Sequence, residues 1–352
     1  MTIADTSVPD VLDVLIQRSE FLVCVLAEPR ETSALVEELD VSRSTVDRGM
    51  SALETVGLVE PCGDSYQTTS IGGVVTTDFL AFLDSVEEAN RNGNPIQSDV
   101  PALEVVDTVA SRRPLLEVLR GEPKDKRVLV DELEMSRSTV DRGVRELNTL
   151  GLVEYSDNGF VVTPIGELAV EGLSELASTI ELGQQMETFL QWVPMEEFDL
   201  DVRLLADAEI LVAEPGNPYA MINSHVQLIK TMDNCRAFLP FTGLHAHEAA
   251  HQQVVEHNAS GEIVGEPDII DVHMSNPKYA ELAEEIVATG RFEYFEYPEE
   301  LPYALALIDD TVQVVVAEGD EPRALLETED DEVRNWAERK YNGYKKQSKK
   351  VK

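Results

Sequence analysis

The sequence predicts a multidomain α+β and α/β protein: two tandem winged-helix (helix-turn-helix) domains, then an α/β C-terminal domain. Three observations predict it. The residues SRSTVDRG stand at 42–49 and again at 136–143, and 16 of 23 positions are identical between 38–60 and 132–154. An internal repeat of this kind sets the architecture before any other reading. Each copy then runs from a helical pattern into Gly-Leu-Val-Glu and a turn, the signal of a strand that folds back. Beyond Val202, short apolar runs alternate with amphipathic segments, the pattern of an α/β domain.

The first repeat occupies 10–75, with helical periodicity over 11–26 and 33–39. A further amphipathic helix over 78–88 places Phe79, Phe82, Leu83 and Val86 on one face. Asn90-Arg-Asn-Gly-Asn-Pro95 is a turn-rich break. The second repeat runs from 105 to 166, and a long helix from 166 to 192 ends before Pro194. Next come a strand over 210–213, a Glu214-Pro-Gly-Asn-Pro-Tyr219 turn, and helices over 225–232, 246–255 and 279–289. Strands over 292–297 and 312–317 precede a last helix over 331–344, and 301–308 reads as apolar core, with a pocket wall as the alternative. The expected domains are 1–92, 100–193 and 200–344. A lysine-rich tail follows over 345–352, either a solvated end or an arm that touches phosphate.

At 352 residues the chain has room for two or three cores. Its 67 acidic against 28 basic residues give a net charge of −39, yet 43% of the residues are apolar, which argues against disorder. The acidity reads as a solvated surface suited to molar intracellular salt, where the Debye length is about 3 Å and self-repulsion is screened. A haloarchaeal cytoplasm is the expected setting. Cys24, Cys62 and Cys235 are scattered, without zinc spacing. The sequence has no signal-peptide pattern and no apolar run of about 18 residues, so a cytoplasmic protein with no membrane partner is expected.

The repeat predicts its own chemistry. In the first copy Thr32 or Ser33 is expected to cap a short helix, Asp40-Val41 to turn it, and Ser42 to cap the next helix. Val46, Met50 and Leu53 then face inward, which leaves Arg43, Ser44, Thr45, Asp47 and Arg48 outward. The corresponding outward set of the second copy is Arg137, Ser138, Thr139 and Arg142, joined by Arg145. The N-terminal turns of such a helix enter the major groove of double-stranded DNA, where arginine takes guanine bidentately and hydroxyls reach phosphates or base edges. Gly49 and Gly143 sit mid-helix, where close approach of a preceding helix is expected. Gly63-Asp-Ser65 and Asp157-Asn158-Gly159 turn the hairpin, or wing, with Ser65 and Asn158 as its contact residues. Over 18–72 there are 4 basic and 10 acidic residues, and over 112–166 there are 9 and 10. Phosphate neutralisation needs cations, so the second copy, with Lys124, Lys126, Arg127 and Arg145, is expected to bind more strongly.

At Ser-Arg-Ser-Thr-Val-Asp-Arg with Gly-Leu-Val-Glu downstream, the chain resembles the haloarchaeal winged-helix transcriptional regulators with a FilR1-type C-terminal domain. Glu300-Leu-Pro-Tyr-Ala-Leu-Ala-Leu-Ile-Asp-Asp310 and Val333-Arg-Asn-Trp-Ala-Glu-Arg-Lys-Tyr341 carry the likeness in the C-terminal half. The resemblance implies a promoter- or operator-binding regulator, homodimeric, whose C-terminal domain dimerises or senses a small-molecule effector. It carries Arg43, Thr45, Arg48, Arg137, Thr139 and Arg142 over as DNA-facing residues. Such regulators usually have one winged helix, so the pair here points to a dimer imitated within one chain.

All six histidines lie beyond residue 224. His247 and His251 are spaced i, i+4, with His245 and Glu248 near, which is compatible with a divalent metal. The spacing differs from H-E-x-x-H, and a polar helix face is the expected reading, with a metal site on His245, His247 and His251 as the lesser alternative. H-x-K, G-x-S-x-G and a phosphate-cradling glycine loop are all absent from the sequence. No enzyme activity and no cofactor are therefore expected. A metal-responsive or metal-dependent C-terminal domain and an interaction scaffold with non-reading winged helices stand as alternatives.

Overall fold

The computed structural model describes residues 6–91, 100–156, 158–194, 197–213, 216–217, 219–319 and 321–351. They form two compact units, Met1–Gln185 and Met186–Lys352.

In the first unit the repeat is written twice in the same order of elements, except that the short first strand of the first copy is matched in the second only by an isolated bridge between Lys124 and Phe160. The first copy consists of α1 (Val8–Leu26), β1 (Arg30–Glu31), α2 (Thr32–Leu39), α3 (Arg43–Thr55), β2 (Val59–Cys62), β3 (Ser65–Thr68) and α4 (Ser70–Arg91). The second consists of α5 (Ala102–Leu119), α6 (Lys126–Leu133), α7 (Arg137–Thr149), β4 (Val153–Ser156), β5 (Gly159–Val162) and α8 (Pro164–Leu190). The helix expected over 78–88 is the second half of the longer α4. The break at Asn90–Pro95 lies mainly outside the described residues.

A threonine latch recurs where each hairpin meets its long helix. Thr69 Oγ1 donates to the Gly57 carbonyl at 2.7 Å and accepts from Gly72 N; Thr163 does the same with Gly151 at 2.6 Å and Gly166 N. A Cβ on Gly72 would stand 1.9 Å from the Leu58 carbonyl oxygen, and one on Gly166 would stand 2.1 Å from that of Leu152. Only glycine allows the helix to start that close to the strand behind it.

The two copies pack into a single body through α1 against α5 and α4 against α5. Gly172 of α8 lies under the Phe82 ring of α4, and Thr179 Oγ1 donates to Asp78 Oδ2 at 2.8 Å. Among the described residues no helix is long and apolar enough to cross a membrane.

The second unit is a mixed sheet with helices against it. After a 3₁₀ turn at Val202–Leu205 come β6 (Glu209–Val212), α9 (Ala220–Ile229), β7 (Asn234–Leu239), α10 (Leu244–Glu256) and β8 (Ser260–Gly265). These are followed by α11 (Pro267–Ser275), α12 (Pro277–Ala288), β9 (Phe292–Glu296), β10 (Ala304–Ile308), β11 (Thr311–Glu318) and β12 (Glu321–Thr328). The unit closes with α13 (Asp331–Gln347) and β13 (Lys349–Lys350). The sheet order is β13-β9-β8-β7-β10-β11-β12-β6. β7, β8 and β9 run parallel and the remaining pairs are antiparallel. Every residue of β10 is buried, so its sequence is continuously apolar and carries no alternation. Phe198, Tyr303 and Trp336 pack edge-to-face or stacked, with Trp336 Nε1 donating to Asp199 Oδ1 at 2.8 Å.

The lysine-rich end departs from the tail expected over 345–352. Lys345 and Lys346 belong to the last turn of α13, and Lys349-Lys350 pair with Glu296 and Phe295 as an edge strand. Acidic partners account for it: Lys345 Nζ meets Glu262 Oε2, and Lys350 Nζ lies 2.6 Å from Glu293 Oε1. Much of the turn expected at Glu214–Tyr219 lies outside the described residues.

Candidate nucleic-acid interface

α2 and α3 are joined through Asp40, and α6 and α7 through Glu134. Both residues adopt φ 52°, a left-handed turn that ends one helix and redirects the chain. Ser42 Oγ then accepts from Thr45 N at 3.2 Å, and Ser136 Oγ accepts from Thr139 N at the same distance. Each cap hydroxyl also lies within hydrogen-bonding distance of its neighbours, Ser44 and Thr45 in one copy, Ser138 and Thr139 in the other. Thr45 and Thr139 are accordingly half-buried and committed to the cap. The cap of α2 differs from expectation. Glu31, not Thr32 or Ser33, occupies that position and makes no side-chain cap bond, whereas Asp125 caps α6 through Arg127 N and Val128 N.

Val46, Gly49, Met50 and Leu53 are buried on α3, as are Val140, Gly143, Val144 and Leu147 on α7. The opposite faces are open: Arg43, Ser44 and Arg48 on α3, and Arg137, Ser138, Arg142 and Arg145 on α7, are exposed. The helix that approaches the glycines is α1 or α5, not the one immediately before. A Cβ on Gly49 would stand 3.0 Å from the Phe21 ring, and one on Gly143 would stand 2.4 Å from Leu115 Cδ1.

Charge distinguishes the two faces. Arg48 Nε donates to its own helix at Ser44 O, 3.0 Å away. Arg142 lies 3.9 Å from Glu146, whose carboxylate is already held by Arg112 at 2.7 Å. Lys126 Nζ meets Asp141 Oδ1 at 2.7 Å and lies 5.5 Å from the Phe160 ring centroid. The Lys126 hydrogen bond, aided by the nearby Arg137 and Arg145, holds the Asp141 carboxyl below the usual carboxylate range. Lys124 is engaged by Glu132. Among the described residues Arg43, Arg127, Arg137 and Arg145 have no ion-pair partner within 4 Å.

The hairpins turn over two residues, between Cys62 and Ser65 and between Ser156 and Gly159. Asn158 is exposed at the second tip; Ser65 is half-buried at the start of β3. Tyr155 was not anticipated. It is 69% exposed and packs edge-on against Phe160 at 5.1 Å. The only sequence signal was an aromatic where the first copy has Pro61.

The histidines disperse. His245 Nδ1 is 3.1 Å from Glu248 on the exposed face, and His251 Nε2 is 2.6 Å from Glu285. His247 is buried, with Nε2 3.3 Å from the Tyr279 carbonyl and its ring 4.5 Å from that of His273. Desolvation lowers His247 to about 4 and His273 to about 3, so both are neutral near pH 7. Among the described residues no group of three or more His, Cys, Asp or Glu side chains is placed to hold a metal ion.

With this geometry in place, the comparisons fall on both units. The family described as the HVO_A0261 N-terminal domain matches twice, over residues 11–91 and 102–185, one match to each copy of the repeat. The middle domain of the methanogenesis regulatory protein FilR1 matches residues 218–347. Together they support a transcriptional regulator. No curated protein matches the chain. Among solved structures, the archaeal chromatin protein TrmBL2 is 12% identical, with 76% of this chain covering 99% of that one at a TM-score of 0.32. Nuc from Salmonella typhimurium, a phospholipase D family member, is 11% identical, with 41% of this chain covering 99% of that one at a TM-score of 0.33. Likenesses this slight bear on neither mechanism nor ligand.

Proposed function

We propose that the chain is a sequence-specific, double-stranded-DNA-binding transcriptional regulator whose two repeats are tandem winged helices. In this reading α3 and α7 are the recognition helices and the two hairpins are the wings. The second unit is a sensor or dimerisation domain, and the regulator works as a homodimer in a haloarchaeal cytoplasm. The observation that carries the reading is the pair of equivalent, serine-capped helices whose arginine faces are open in both copies. A face kept only for packing would not leave Arg43 and Arg48, and their counterparts Arg137 and Arg142, in solvent at matching positions. The second copy is the stronger reader, because Arg127, Arg137, Arg142 and Arg145 gather around α7 while the first copy has fewer cations.

The test combines chromatin immunoprecipitation, which recovers the bound promoters, with mobility shifts on those fragments at fixed KCl. Arg142→Ala is expected to weaken binding by about 1–3 kcal/mol, and Arg48→Ala by less. A flat occupancy profile, or unchanged affinity in both variants, would refute base reading and favour a scaffold.

A further inference from the structure

The second unit contains a cavity of about 270 Å³ between the sheet and helices α9, α10 and α11. Its floor is Ala237, Ala304 and Ala306 on β7 and β10, where small side chains leave the space open; Met221, Ile229 and Leu325 are among its apolar walls. Among the described residues no Lys, Arg, Asp or Glu lines it. The space opens toward solvent beside Ile222 and His245, and a concave, mostly apolar recess between sheet and helices is the usual form of a small-molecule site. An apolar cavity of about 150 Å³ accepts benzene, which makes room here for a bicyclic ring system.

One polar side chain at this cavity, His225, has unused hydrogen-bonding capacity. Gln313 Nε2 donates to Glu327 Oε2 at 2.5 Å, which turns the Gln313 carbonyl oxygen toward His225 Nδ1, 2.6 Å away. That oxygen can only accept, so Nδ1 carries the proton and the neutral ring keeps a lone pair on Nε2. Burial disfavours the imidazolium and holds His225 in that form. His273, which is 1% exposed, also lines the cavity, with its Nε2 3.0 Å from Thr242 Oγ1.

We propose that this cavity binds an uncharged, predominantly apolar small molecule carrying a hydroxyl or N–H that donates to His225 Nε2. Carboxylates and phosphates are disfavoured because no Lys or Arg among the described residues lines the space, and sugars because most of their hydroxyls would be buried without partners. The binding step stands on the cavity alone. That the occupant acts as the effector of the regulator rests on the reading given under Proposed function.

Calorimetric titration of the full chain in molar KCl with indole, 1-methylindole, benzoate and glucose tests it. Indole is expected to bind one to one with a negative heat-capacity change. Its affinity should exceed that of 1-methylindole by about tenfold, the worth of one buried hydrogen bond. Benzoate and glucose should give no binding. Ala306→Leu fills the floor and should abolish indole binding, and His225→Leu should erase the preference for indole over 1-methylindole. If Ala306→Leu does not fold, the His225→Leu comparison decides. Absence of indole binding up to its solubility limit overturns the proposal, as does equal affinity for the two indoles or binding that survives in a folded Ala306→Leu chain. A chain that binds indole but no DNA refutes the regulator alone; one that binds promoters but not indole refutes the cavity ligand alone.

Discussion

Lys126 Nζ lies 2.7 Å from Asp141 Oδ1, a pair the first repeat cannot make because Thr32 and Asp47 stand at the corresponding positions. Asp141 immediately precedes Arg142 on α7, so its charge sits beside the arginines proposed to meet DNA. Bare carboxylates on such a face repel phosphate, and Lys126 neutralises this one without having to reach the duplex.

Lys126→Met is therefore expected to weaken promoter binding severalfold, and Asp141→Asn in the same background to restore most of the loss. Mobility shifts on the four chains of this cycle measure it. If the double variant stays as weak as Lys126→Met, the lysine acts on phosphate directly and not through Asp141.

Gly72 and Gly73 are neighbours in the first turns of α4 with opposite surroundings. A Cβ at Gly72 meets the Leu58 carbonyl oxygen at 1.9 Å, whereas one at Gly73 meets only Thr68 Oγ1, at an ordinary 3.6 Å. Gly72→Ala should destabilise the first unit by about 1–3 kcal/mol through overpacking against backbone. Gly73→Ala should leave it unchanged or stabilise it by up to about 1 kcal/mol through helix propensity. Guanidinium unfolding of both variants reads the difference, and equal effects would contradict the close approach.

The buried histidines make the second unit sensitive to mild acid. His247 and His273 titrate near 6.5 when unfolded but at about 4 and about 3 when folded, because burial disfavours their charged forms. Between pH 6.5 and 4 the unfolded chain takes up protons that the folded chain refuses. Stability is thus fully present above pH 6.5 and falls as the pH drops through that window. Each histidine contributes a slope of about 1.4 kcal/mol per pH unit at most. His273→Leu should flatten the dependence by about one proton's worth in denaturation curves recorded from pH 7.5 to 5. The same slope in wild type and variant would show that His273 is not held neutral.

The first unit was largely legible because its evidence is local. A near-identical segment written twice, two serine caps and a 3.6-residue apolar period define α3 and α7 without reference to anything distant. The sheet of the second unit was less so. β10 is buried on both faces and reads as undifferentiated apolar sequence, while β7 and β8 are six-residue strands flanked by helices of similar composition. Pairings between distant residues were out of reach as well. Arg112 with Glu146 and Lys126 with Asp141 join positions 34 and 15 residues apart, and periodicity carries no information about such partners. The cavity is the extreme case, because its walls are drawn from Met221 through Leu325, and of these only the 301–308 run offered itself in sequence as a pocket wall. The spacing of His245, His247 and His251 suggested a cluster, but the helix directs them to Glu248, Tyr279 and Glu285.

The lysine-rich end offers the sharpest contrast between composition and structure. Read as composition, five lysines in the last eight residues suggest an arm for phosphate. Read as structure, Lys349 and Lys350 close a sheet edge. β13 pairs with β9, Val351 N donates to the Tyr294 carbonyl at 2.8 Å, and Val351 packs against the apolar cluster that includes Phe292 and Ile263. Glu262 takes Lys345 together with the Tyr341 hydroxyl, and Glu293 takes Lys350, so acidic side chains already neutralise part of this charge. Deleting residues 349–352 should expose the β9 edge and destabilise the second unit by on the order of 1–3 kcal/mol. Promoter affinity, which is proposed to depend on α7, should stay unchanged. Denaturant unfolding and mobility shifts on the truncated chain separate the two roles. An arm would lose DNA affinity and keep its stability, whereas an edge strand loses stability and keeps its affinity.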